Sequence, residues 1–204
     1  MVTFEIALLI LQVKPIRIVY FSILLAFIAI GCVENTPFQK NISEGIIEYD
    51  VTYPELDSNN LMLEMLPDKM IMKFKKDRYK SELKTAAGII EMSVLANATE
   101  QKMYNLVKIF SDRYVLEMNR AQALAMTSVS PPFQTEFKDE WKKIADAQCQ
   151  KVLLDFGTSK KESYIFYFTN EIDIVDPNWC TPYGEIKGVL LDYRFENYNM
   201  VMRL

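Results

Sequence analysis

The side chains able to do chemistry are few in this 204-residue chain, which holds three cysteines and no histidine. Without His, the commonest general base is missing, and so are the usual Ser or Cys triads. No Gly-rich phosphate loop or nucleophile elbow occurs. What remains is a group of carboxylates in the C-terminal third, Glu162, Glu171, Asp173 and Asp176. A close carboxylate pair can hydrolyse glycosides, but acids scattered among strand ends and turns more commonly keep those turns solvated. The chain is therefore expected to be non-enzymatic and without a cofactor. Its cysteines have no His to complete the common zinc sets, so no metal is expected either.

Cys32 stands in a setting of its own. The apolar run at 18–30 is too short to cross a bilayer, which takes about 20 residues, but it fits the roughly 7 to 15 of a signal-peptide core. Lys14 and Arg17 precede it as a positive region, and extending the span over them would bury two cations beside Pro15. The run ends in Ala29-Ile30-Gly31-Cys32, which resembles the lipobox of bacterial lipoproteins. In those proteins the signal is removed before the Cys, and the Cys is acylated. The resemblance implies a signal peptide at 1–31, lipid attachment at Cys32, a lipidated polar linker at 32–44 and one folded domain at 45–204. Several acyl chains anchor firmly where one binds only marginally, so the membrane is the expected partner through the N-terminal lipid. Val33 is not the Asp of inner-membrane retention, and "VENT" lacks a dense acidic run. The expected location is the outer membrane, facing the periplasm.

With Cys32 committed to lipid, Cys149 and Cys180 are left as a pair in an oxidising compartment, and a disulfide between them is expected. Closing that loop of about 31 residues would add roughly 3 to 4 kcal/mol on the chain-entropy model. The chain carries a net charge of −4, and losing Lys14, Arg17 and Glu5 with the leader makes the remainder one unit more negative. A mildly acidic domain has no broad electrostatic reason to bind nucleic acid.

The elements that must position these residues are mostly strands. In "GIIEYDVTY", Ile47, Tyr49, Val51 and Tyr53 alternate with Glu48, Asp50 and Thr52, the pattern of a strand with one face in a core. Period-two stretches follow at 69–75, 78–85, 88–96, 101–110 and 113–118, then at 135–143, 147–156, 162–169, 188–196 and 198–204, with short turn-like breaks between them. "SNNLMLEML" and "NRAQALAMTS" read as two short helices, each started by Asn and stopped near proline. Many evenly spaced strands with two small helices point to a mainly β (α+β) fold, a curved antiparallel sheet or half-barrel.

Several stretches together resemble one family. "KKIADAQCQKVLLDF" (142–156), "YFTNEIDI" (167–174), "EIKGVLLDY" (185–193) and the Met-rich "LMLEMLPDKMIMKFKKDRYKSEL" (61–83) are similar, in order and spacing, to Bacteroidota envelope lipoproteins that include the GLPGLI family. That resemblance implies a half-barrel like the LolA and LolB lipoprotein carriers, whose concave face binds acyl chains.

Two functions from different classes follow. One is an interaction or structural module of the cell envelope. The other is a carrier of a lipid or similar hydrophobic ligand held by Met62, Met65, Met70, Met72, Phe74, Trp141 and Tyr167, because Met packs adaptably and a curved sheet leaves space beneath it. In the second case, "LMLEML" would act as a lid. The anchor has a direct test: Cys32→Ala should release the protein from the membrane fraction and abolish palmitate labelling, whereas a variant that stays on membranes and still labels would refute the lipobox.

Overall fold

Alternation of apolar and charged residues dictates the first sheet. In a computed structural model that describes residues 41–204, apart from 58, 86, 87, 89, 128–131, 158–161, 198 and 199, six strands form an antiparallel meander. They are β1 (Glu44–Asp50), β2 (Lys69–Lys75), β3 (Arg78–Lys84), β4 (Ile90–Asn97), β5 (Lys102–Ile109) and β6 (Asp112–Asn119), each paired with the next. β2 shows why the sheet is two-faced: Met70, Met72 and Phe74 are buried while Lys69, Lys73 and Lys75 are exposed. Directly opposed residues share a face, so the register lines up Phe74, Tyr79, Ala96, Met103 and Met118 in one inward row, all of them buried.

The outward face is charged and cross-linked by ion pairs. Glu48 bonds to Lys69, Glu44 to Lys75 at 2.8 Å and Glu91 to Lys108 at 3.0 Å. Exposed pairs of this kind contribute about 0 to 1 kcal/mol each. They set which side faces water more than they hold the sheet.

A second antiparallel sheet runs β7 (Gln134–Ile144), β8 (Ala147–Asp155), β9 (Tyr164–Thr169) and β10 (Val189–Asp192), and a hairpin of β11 (Arg194–Asn197) and β12 (Met200–Arg203) closes the series. Val152, Leu154, Phe156, Tyr164, Phe166, Tyr183 and Ile186 form its own core, rich in edge-to-face rings such as Phe166 on Tyr183 at 5.0 Å. Lys40–Leu204 forms one compact unit. The expected fold class holds: the protein is mainly β, with antiparallel sheets that are curved but not closed.

Only one of the two expected helices is an α-helix. Helix α1 (Arg120–Met126) starts at a capping box in which the Asn119 side chain accepts from the Gln122 N–H and Gln122 accepts from the Asn119 N–H, each at 3.0 Å. "LMLEML" makes a 3-10 turn over Leu61–Met65 instead. Pro67 follows too soon for a second turn, and Leu63 and Leu66 reach the core while Leu61 is 80% exposed.

Gly188 sits where the chain must approach β9 closely. A Cβ there would lie 2.5 Å from Phe168 Cδ2 and 2.6 Å from the Thr169 carbonyl oxygen. Gly188→Ala should destabilise the domain by about 2 kcal/mol or more. Urea unfolding reads the effect directly, and an unchanged midpoint would contradict this packing.

Candidate functional site

The inward face of the meander does not fill itself. Over β2 to β5 it leaves a cavity of about 200 Å³, larger than the roughly 150 Å³ apolar void that admits benzene in an engineered protein core. Its floor is Met70 and Met72 from β2, Tyr79, Ser81 and Leu83 from β3, Met92 and Val94 from β4, and Met103 and Asn105 from β5. Its roof comes from three places: Met126 and Thr127 at the end of α1, the 177–183 segment between β9 and β10, and Val189, Leu190, Phe195 and Met202 toward the C-terminus.

Two features keep the lining neutral. Among the described residues, no Asp, Glu, Lys or Arg side chain contributes to it. The tyrosines also stay protonated, because burial pushes the Tyr49 and Tyr79 phenols well above their ordinary value and raises Tyr193 too. The hydroxyls of Tyr49 and Tyr79 are engaged in holding the walls. Tyr49 donates to the Leu190 carbonyl at 2.9 Å and lies 3.7 Å from Met72 Sδ, while Tyr79 Oη and Cys180 Sγ are 3.1 Å apart. Among the described residues, six methionines line the space, Met70, Met72, Met92, Met103, Met126 and Met202. Their flexible thioethers let such a wall adapt to more than one shape.

The roof is fixed by hydrogen bonds rather than by a helix. The buried Asn178 amide donates to the carbonyls of Ile186 at 2.6 Å and Gly188 at 3.0 Å, pinning both ends of the segment. Trp179, Cys180 and Tyr183 are almost fully buried beneath it. Thr127 Oγ1 donates to Ala123 at 3.0 Å and reaches the Cys180 carbonyl at 3.4 Å, which joins α1 to the same roof.

The expected ligand residues separate into two groups. Met70 and Met72 line the cavity. Phe74 is buried beside Gly45 and does not line the cavity. Met65 is 70% exposed, so the 3-10 turn is not the lid; the side chain of Met62 lies outside the described residues. Trp141 is 56% exposed on the edge strand β7, where its indole N–H donates to Asp139 at 3.1 Å. Tyr167 is half-buried under the Lys142 ammonium, 4.0 Å from the ring centre. Both belong to the second sheet, away from the cavity. Cys32 also lies outside the described residues.

The expected disulfide is not formed. Cys149 and Cys180 are both free and buried. Cys180 faces Tyr79 in the meander core, while Cys149 sits on β8 with its thiol 3.5 Å from the Ala147 carbonyl. Sequence counting paired them because it could not show that β8 and the segment between β9 and β10 place them in different neighbourhoods. The carboxylates do not converge on the cavity either. Glu171 accepts from the Gln148 N–H at 3.3 Å, Asp176 pairs with Lys187 at 3.3 Å, and Glu162 and Asp173 are exposed.

A scan of protein-family models matches none to this chain, and a search of curated proteins finds no significant match. The class is thus defined by geometry alone: a mainly β protein whose curved antiparallel meander carries a neutral, methionine-lined cavity.

Burial raises both thiol pKa values above the ordinary range, which depresses the reactive thiolate. In folded protein, Cys149 and Cys180 should therefore resist alkylation at mildly alkaline pH, and both should label without reductant once unfolded. A Cys149–Cys180 cross-link in non-reduced peptide maps would overturn the assignment.

Proposed function

We propose that this protein is a lipid-anchored envelope protein that binds a hydrophobic ligand, such as a lipid acyl chain, beneath its curved meander. The single observation that supports this is the cavity of about 200 Å³ whose wall, among the described residues, combines six methionines with no charged side chain. A packed core of this size would ordinarily hold few voids larger than a water molecule. An apolar void is also unfavourable when empty, since its lining forgoes contacts. A flexible apolar chain end is the complementary occupant: it needs no charge partner, and its shape can follow thioether walls. Free carboxylates or amines are poorly matched to the interior and would stay at the mouth.

Binding rather than catalysis is the role in this proposal. The groups that reach the cavity are neutral phenols, amides and hydroxyls, several already engaged with backbone carbonyls. The anchor at Cys32 and the outer-membrane location belong to the same proposal, resting on the signal and lipobox pattern at 18–32 and on the likeness to envelope lipoproteins. An anchored domain with an acyl-binding site would hold its ligand at the membrane surface, where such chains are released and taken up.

Binding of a fluorescent fatty acid tests the proposal. The wild-type chain should bind at micromolar concentration, and Met72→Trp, which fills the cavity from β2, should weaken binding by about tenfold or more with the circular dichroism spectrum unchanged. Absence of binding by the wild type, or undiminished binding by the variant, would count against the cavity as the site.

A further inference from the structure

The β6 edge of the meander is unlike the other exposed edges. At the opposite side of the sheet, β1 is flanked by bridges on either side: the Ile42 N–H donates to the Glu171 carbonyl at 3.1 Å, and Thr52 and Arg203 exchange backbone bonds at 2.9 and 2.8 Å. On the second sheet, β7 carries a register shift between Phe137 and Trp141 and presents Lys138, Lys142 and Lys143. Bulges and lysines are the usual means by which an edge avoids pairing. β6 has neither. It pairs with β5 without a break from Asp112 to Asn119, and among the described residues no strand occupies its other side. Tyr114, Val115 and Leu116 are 58%, 64% and 51% exposed, so both faces of this open strand are apolar at the centre.

The order of residues along β6 selects its occupant. In antiparallel pairing of the strand with a second copy about a two-fold axis at Val115, Arg113 falls opposite Glu117 of the second copy, and Glu117 opposite Arg113. Tyr114 then meets Leu116 on the inward face. Shifting the register by two residues either way sets one of the two charged groups against Val115 and the other against Asn119 or Ser111, and a shift by four brings Arg113 onto Arg113 or Glu117 onto Glu117. Only the Val115-centred register matches charge with charge.

The single chain also shows a local mismatch that this pairing relieves. Arg113 lies directly opposite Lys108 in the β5–β6 register, and like charges in that relation are destabilising. Glu91, one strand further, is already bonded to Lys108 at 3.0 Å. A carboxylate on the far side of Arg113 would complete an alternating row. Glu117 is placed to supply it, since its bond to Lys102 at 2.9 Å uses one carboxylate oxygen.

We propose that the chain forms a two-fold dimer by antiparallel β6–β6 pairing centred on Val115, with reciprocal Arg113–Glu117 ion pairs, joining the two meanders into one continuous sheet. The pairing is independent of whether the cavity takes a ligand.

Cross-linking of the full chain in membranes tests it. A pair at the centre brings the two Cβ atoms to about 5 Å, within reach of a disulfide after small adjustment. Val115→Cys should give a disulfide-linked dimer on mild oxidation, whereas wild type and Ile165→Cys, exposed on β9, should not. Adding Arg113→Glu or Glu117→Arg alone should cut the dimer yield by about tenfold. The double reversal should restore it. All these positions are exposed, so folding is checked by an unchanged circular dichroism spectrum. Sedimentation of the unmodified chain at millimolar concentration gives a second readout, and a monomer there would overturn the proposal. So would no Val115→Cys dimer, single reversals without effect, or a cross-link to a protein of another mass.

Discussion

The register of the six-stranded meander is the constraint on which the rest of the domain depends. Because side chains alternate with period two, one residue of slip in any strand would send its apolar set to water and its lysines into the core. The observed register keeps five strands in phase, from Phe74 on β2 through Tyr79, Ala96 and Met103 to Met118 on β6. That row is buried throughout, with Tyr79 and Met103 at the margin of the cavity. The next row inward runs Met72, Ser81, Val94, Asn105 and Leu116, where smaller or polar residues sit in the middle. Space therefore opens beneath the sheet where the rows change from large to small.

What turns that space into a cavity is the segment between β9 and β10. It has no regular secondary structure, yet it buries Trp179, Cys180, Tyr183 and Ile186 almost completely. A buried loop must satisfy its backbone, and Asn178 does this at the crossing point by donating to two carbonyls. The result couples the two halves of the domain. Cys180 and Val189 pack with the meander, Tyr183 and Ile186 with the second sheet, and Tyr193 touches both cores. A change at Asn178 would be felt in the roof and in the second core together.

Much of the fold was legible in the sequence because period two is a local signal. Ile47, Tyr49, Val51 and Tyr53 could be read as an inward face, and the strands at 69–75 and 147–156 fall within a residue of β2 and β8. The helix after Asn119 was legible from its cap. The lid was not. "LMLEML" has the composition of a helix, but Pro67 leaves it too short to propagate one, and the real roof is a loop whose burial depends on long-range packing. The cavity was half legible: Met70 and Met72 were named, whereas Met92, Met103, Met126 and Met202 were overlooked because nothing local shows that separate strands share one face. The cysteine pairing failed for a similar reason, since an even count carries no information about distance.

The most direct measurement is of the methionine ε-methyl resonances as a fatty acid is added to isotope-labelled protein. Methyl signals of Met70, Met72, Met92, Met103, Met126 and Met202 should shift together and saturably. Met65, which is exposed on the 3-10 turn, and Met118, buried but outside the cavity lining, should stay in place. Shifts confined to Met65, or none at all, would contradict a ligand site beneath the meander.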